Sequence, residues 1–198
     1  MLSYACSLSF IKTQRRLITV FVLLAICRLI YVRFFVMPKI IPHQGDGHFQ
    51  DISRRLGPFA VPGFSIKMPQ FDLADPMEAE YHLTKLPSIN RRCGLYLAFG
   101  IDDDTWERKL RRNYRATVRL QLRDSSGRTL VDLDGNVSDY TAYSSNRMNF
   151  IALYPRDKNT VFYPDPNENY IVKFMFKPEN NKLKNYQGFV YIECGGHK

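Results

Sequence analysis

The sequence predicts a mainly β protein: an antiparallel β-sandwich, jelly-roll or immunoglobulin-like in outline, with one short inserted helix and a single transmembrane helix ahead of it. Three observations lead there. Apolar and polar residues alternate with period 2 in several runs, Gly, Asp, Asn and Ser clusters separate those runs, and an apolar stretch of 20 residues lies near the N-terminus. A chain of 198 residues accommodates one domain plus an anchor, since domains most often run to roughly 100–150 residues. The 14 Phe and 12 Tyr supply a core and lean toward strands.

The elements follow in chain order. Residues 1–16 carry Lys12, Arg15 and Arg16 just before the apolar run, which the positive-inside rule reads as a cytoplasmic N-terminus. Residues 17–36 match a hydrocarbon core of about 30 Å and form the expected anchor. Arg28 opposes it: a central arginine costs about 2.5–3.5 kcal/mol, while each Leu, Ile, Phe or Val returns about 0.3–0.6. The apolar majority offsets one such charge, and Arg28 and Arg33 can snorkel to the interface. A cleaved signal, a mitochondrial targeting segment and a lipoprotein signal are rival readings. Leu24-Ala25-Ile26-Cys27 resembles a bacterial lipoprotein box, with Ile26 where that family has Gly, Ala or Ser.

Residues 37–63 hold Pro38, Pro42, Gly45, Gly47, Gly57, Pro58, Pro62 and Gly63 and read as a linker, leaving residues 64–198 as the extracytoplasmic domain. Within it Met77, Ala79, Tyr81 and Leu83 alternate with Glu78, Glu80, His82 and Thr84. Val118, Leu120 and Leu122, and then Tyr170, Val172, Phe174 and Phe176, alternate in the same way. Apolar runs at 64–68, 95–101, 129–133, 150–154 and 189–193 bring the strand candidates to eight. Asp124-Ser125-Ser126-Gly127 reads as a hairpin connection and Asp134-Gly135-Asn136 as a second turn.

One segment departs from the β pattern. Trp106, Leu110 and Tyr114 fall at helical spacing behind Asp102, Asp103 and Asp104, with Arg108, Lys109, Arg111, Arg112 and Arg115 over the remaining faces. Acid first and base last suits the helix dipole and describes a well-capped surface helix. The same five basic residues form a candidate interaction surface for an acidic partner or anionic lipid.

The net charge of +9 is unevenly placed. Six of the 28 basic residues precede His43 and no acid appears before Asp46, so the remainder is 22 basic against 19 acidic, an ordinary soluble surface. That distribution argues against nucleic acid as a partner.

Catalytic and metal signatures are missing. There is no C-x-x-C, no H-E-x-x-H, no G-x-S-x-G, no P-loop and no dinucleotide fingerprint. No catalytic, cofactor-binding or metal-ligating residue is therefore assigned, and no cofactor is implied. Cys93 and Cys194, each beside an expected strand, are the candidate disulfide in an oxidising compartment. The plan resembles the small single-pass or lipid-anchored β-sandwich proteins of bacterial envelopes, a likeness of architecture that transfers no site. It implies a tethered module in the inner membrane with its domain in the periplasm, meeting a protein or glycan there; an immunity or inhibitor protein is one form. The alternative is a membrane-tethered hydrolase of an envelope polymer, whose paired carboxylates need share no motif.

Overall fold

A computed structural model describes residues 18–31, 40–56, 59–101, 105–106, 111–143, 150–155, 160–180 and 183–195. The strands are β1 (Gln44–Gly45), β2 (His48–Asp51), β3 (Arg54–Leu56), β4 (Phe59–Val61), β5 (Phe64–Lys67), β6 (Phe71–Asp72), β7 (Met77–Thr84) and β8 (Cys93–Phe99). They continue as β9 (Ala116–Asp124), β10 (Thr129–Asn136), β11 (Tyr140–Tyr143), β12 (Ile151–Pro155), β13 (Val161–Phe162), β14 (Asn169–Pro178) and β15 (Gln187–Cys194). All eight strand candidates are present, in a mainly β architecture of antiparallel sheets.

Two compact units divide the chain. One includes the helix over residues 18–31 and the β3–β4 hairpin. The described residues of this helix span about 21 Å at 1.5 Å per residue, and among the described residues no helix is long and apolar enough to cross a membrane. Residue 17 and residues 32–36 of the expected anchor lie outside the described residues.

The other unit contains both larger sheets. The first is ordered β1-β7-β14-β9-β10; the second follows β11-β12-β8-β15-β5-β2, with β13 also pairing β8 and β6 pairing β15. Alternation decides which side chains meet between them. Tyr81, Leu83, Val118, Leu120, Leu122, Tyr170, Val172, Phe174 and Phe176 of the first sheet share one buried cluster with Phe64, Ile66, Leu95, Leu97, Phe99, Val190 and Ile192 of the second. Phe71 on β6 lies 5.2 Å from Phe174 and 5.1 Å from Phe176 on β14, measured between ring centroids. Burying one such side chain contributes about 1.5–3 kcal/mol, so these positions dominate the stability of the unit.

The outer faces of the sheets differ. On the first, cross-strand rows alternate charge: Glu80, Lys173, Gln121 and Asp132 stand side by side on β7, β14, β9 and β10. Lys173 Nζ lies 3.0 Å from Glu80 Oε2, Gln121 Nε2 donates to Asp132 Oδ1 at 3.0 Å, and Arg123 Nη2 donates to Gln121 Oε1 at 3.0 Å. On the second, Tyr96, Ala98, Ala152, Phe189 and Tyr191 form another buried cluster, and Lys67 Nζ sits 4.0 Å over the Phe189 ring. Desolvation pushes the Lys67 amine down from its ordinary value. Burial on both faces explains why β8 and β15 read as unbroken apolar runs while β7, β9 and β14 alternate.

Two sequence expectations, the linker and the second turn, need correction. Part of the expected linker is sheet: β1 pairs β7, β2 pairs β5, and β3 pairs β4. Glycine makes the first of these contacts possible. Gly45 has φ +111°, a Cβ there would collide with the His82 carbonyl, and next to it Asp46 N donates to His82 O at 2.8 Å while His82 N donates to Asp46 Oδ2 at 2.7 Å. The second turn is displaced, because β10 runs on through Gly135 and Asn136 and the chain turns at Val137–Asp139. There Asn136 Oδ1 accepts from Ser138 N at 3.0 Å, capping the turn. The helix expected over 106–115 is described at 105–106, followed by a turn at 111–113, with Arg111 N donating to Trp106 O at 2.8 Å, a π-type closure. Asp102, Asp103, Asp104 and Leu110 lie outside the described residues.

Gly45→Ala should destabilise the chain by more than the about 1–2 kcal/mol that a left-handed φ alone costs. Gly127 also has positive φ but has nothing within 4 Å of a built Cβ, so Gly127→Ala should show only that smaller loss. Thermal melts of the two full-length variants compare them; equal losses would refute the crowding at His82.

Candidate functional site

The basic surface expected from the sequence is partly assembled. Arg111, Arg112 and Arg115 line one shallow depression of about 370 Å³ with Ser138 and Asp139. Arg108 and Lys109 lie outside the described residues. Trp106 and Tyr114 anchor the segment: both are buried, and their rings meet Phe99 edge-on at 5.5 Å and 6.1 Å. Tyr114 Oη donates to Leu73 O at 2.8 Å, and burial first, then the charge of Asp72, raises its pKa. The guanidinium groups of the depression therefore stand on a fixed base. Asp139 lines the same depression, and its carboxylate lowers the net positive charge there.

Cys93 and Cys194 are joined. They oppose each other directly in the antiparallel β8–β15 ladder, with Cα atoms 4.0 Å apart, 101 residues apart in sequence and fully buried. Cys27 is a free, exposed thiol. The bridge ties together two chain segments that both line one cleft, through Arg91, Arg92 and Cys93 on one side and Gly195 on the other. Arg91 and Arg92 immediately precede Cys93, and Gly195 follows Cys194 with its N–H directed at Arg92 O at 3.4 Å.

Two clefts open beside that bridge. The first, about 620 Å³, is lined by Asn90, Arg91, Arg92, Tyr96 and Tyr163 among others, with no carboxylate among the described residues. The second, about 750 Å³, is lined by Arg128, Tyr163, Pro164, Asp165 and Glu168 with Asp124 and Tyr170. Val161 and Tyr163 belong to both, so the clefts adjoin. Tyr163 is 62% exposed, and Arg92 Nε donates to its hydroxyl at 3.0 Å.

The carboxylates of the second cleft hold turns. Asp124 is buried at the β9–β10 hairpin, where Oδ1 accepts from Ser126 Oγ at 2.6 Å, Ser126 N at 3.1 Å and Arg128 N at 3.0 Å. Its Oδ2 accepts from Arg128 Nε at 2.9 Å. The Ser126 hydroxyl, then the backbone and side chain of Arg128, hold this carboxyl below the usual range against the upward push of burial. Asp165 Oδ1 accepts from Asn167 N at 2.9 Å, and Glu168 accepts from Ser125 Oγ. An acid for glycoside hydrolysis needs a raised pKa, and Asp124 is displaced the opposite way.

Among the described residues no group of three or more His, Cys, Asp or Glu side chains is placed to hold a metal ion. His43 Nε2 donates to Asp46 O at 2.8 Å and His82 lies 3.4 Å from Glu80, both on exposed surface. No family model, no curated protein and no solved structure matches the chain. The site therefore rests on its own geometry. Sequence reasoning passed over Arg91, Arg92 and Tyr163; the adjoining Arg-Arg-Cys and Tyr-Pro-Asp-Pro runs were the available signals, but their proximity is created by β13 pairing with β8.

The native pKa of Asp124 lies below its unfolded value, so its stabilisation is complete above about pH 4 and is lost as pH falls through the depressed native value. Asp124→Asn should be less stable than the parent at about pH 7, with the gap narrowing in urea titrations as the pH falls below the ordinary carboxyl range. A gap that persists in acid would refute this. Replacing Cys93 and Cys194 together by alanine should cost about 2–5 kcal/mol in the same measurement.

Proposed function

We propose that the chain is a membrane-tethered, extracytoplasmic binding module. In this reading residues 17–36 anchor it with the N-terminus in the cytoplasm, and the paired sheets form a jelly-roll- or immunoglobulin-like β-sandwich that presents its loops to a protein or glycan partner.

The observation that carries the reading is the buried Cys93–Cys194 bridge between β8 and β15. Disulfides of this structural kind persist in secreted, periplasmic and cell-surface proteins and are rare in reducing cytosol. Further support comes from the contrast between surfaces. On the outer face of the first sheet Glu80 pairs with Lys173 and Gln121 donates to Asp132, whereas the clefts around Tyr163 keep Arg91, Arg92 and an aromatic ring open to solvent. Binding is favoured over hydrolysis because the cleft carboxylates are committed to turns.

Full-length chain made in bacterial cells should stay with the membrane fraction through a sodium carbonate wash. A thiol-reactive polyethylene glycol should then modify Cys93 and Cys194 only after denaturation and reduction. Release into the wash, with both thiols labelled on denaturation without reductant, would overturn the proposal.

A further inference from the structure

We infer that the adjoining clefts at Tyr163 bind an anionic oligosaccharide, with its carboxylate or phosphate on Arg91 and Arg92 and a sugar ring against Tyr163. This rests on the reading of the domain as an extracytoplasmic binding module and names the partner class.

The anion is indicated by the balance of charge. Arg91 and Arg92 are both exposed in the first cleft, and among the described residues no carboxylate lines it and neither arginine pairs with an acid. Guanidinium groups match carboxylate and phosphate oxygens with planar, two-pronged donation. Arg92 spends Nε on Tyr163 Oη at 3.0 Å, which leaves its terminal nitrogens for a ligand. The Arg91 stem passes beside Gly195, where a Cβ would lie 3.3 Å from its Cδ, so glycine at that position leaves room for it.

The saccharide is indicated by what adjoins the arginines. Tyr163 is an exposed ring held at its hydroxyl end, a fixed apolar surface with polar groups around its edge. Asn90 supplies an amide that can donate and accept, and in the second cleft the carboxylate oxygens not spent on turns, Oδ2 of Asp165 and Oε1 of Glu168, supply acceptors for hydroxyl groups. Because Tyr163 borders both clefts, the recess suits a ligand more than one residue long: acidic where it meets Arg91 and Arg92, and rich in neutral hydroxyls where it meets Asp165 and Glu168. The bridge at Cys93 fixes the segment carrying both arginines, so the site is organised before the ligand arrives.

The test is calorimetric titration of the full-length chain in nonionic detergent with a galacturonic acid trisaccharide, a neutral galactose trisaccharide and inorganic phosphate. The acidic trisaccharide should bind at least about tenfold more tightly than either other probe. Arg92→Gln and Tyr163→Ala should each weaken it by about tenfold or more, while Tyr163→Phe keeps the ring and stays closer to the parent than Tyr163→Ala. Arg119→Gln removes the same charge from the outer face of the first sheet and should leave binding unchanged. Thermal melts confirm that each variant is folded, and the three alterations at two positions keep the test open if one is not. Equal binding of the acidic and neutral probes, phosphate binding as tightly as the acidic trisaccharide, or no binding by any probe would overturn the inference. The carbonate wash reports on the tether separately, so failure of one reading is distinguishable from failure of the other.

Discussion

The pairing of β15 with β8 is the constraint on which the larger unit depends. These strands run side by side from Gly188 opposite Phe99 to Cys194 opposite Cys93, and a covalent bond locks the last pair. One face of the ladder sends Leu95, Leu97, Val190 and Ile192 into the main core, and the other sends Tyr96, Ala98, Phe189 and Tyr191 into a second cluster. A slip of one residue would exchange those faces and separate the cysteines, so the bridge and the double burial enforce the same register. Strands β5, β6, β12 and β13 take their positions from this pair.

The functional surface follows from where that ladder ends. Past Cys93 and Cys194 the strands give way to Arg91, Arg92 and Gly195, and β13 brings Tyr163 alongside. Other polar groups are used internally: Asp124, though it lines the second cleft, organises the β9–β10 hairpin, Asp46 clamps the first strand pairing to β7, and Glu80 pairs with Lys173. What distinguishes the Tyr163 clefts is charge and aromatic surface that the fold itself leaves available.

Legibility in the sequence tracked element length and burial pattern. β7, β9 and β14 have one wet and one dry face, so alternation revealed their existence and their orientation together. β8 and β15 were visible as apolar runs, though nothing in such a run tells that both faces are covered. Strands of two to four residues such as β1, β6 and β13 are too short for a period to show, and glycine at 45 and 47 resembled a linker while it was permitting strand contact. Trp106 and Tyr114 were correctly read as sharing one buried side, and their rings lie 6.5 Å apart.

By itself the sequence determined the mainly β class, the eight principal strands, which side chains point inward on the alternating ones, and the hairpin at 124–127. Those are consequences of local stereochemistry and of hydrophobic burial, both written in neighbouring residues. Only the tertiary structure decided the strand order, the joining of Cys93 to Cys194, and the meeting of Arg92 with Tyr163. Each of these unites residues 70 to 100 positions apart or more, roughly, and the register that unites them is selected by the packing of whole sheets, which no local pattern encodes.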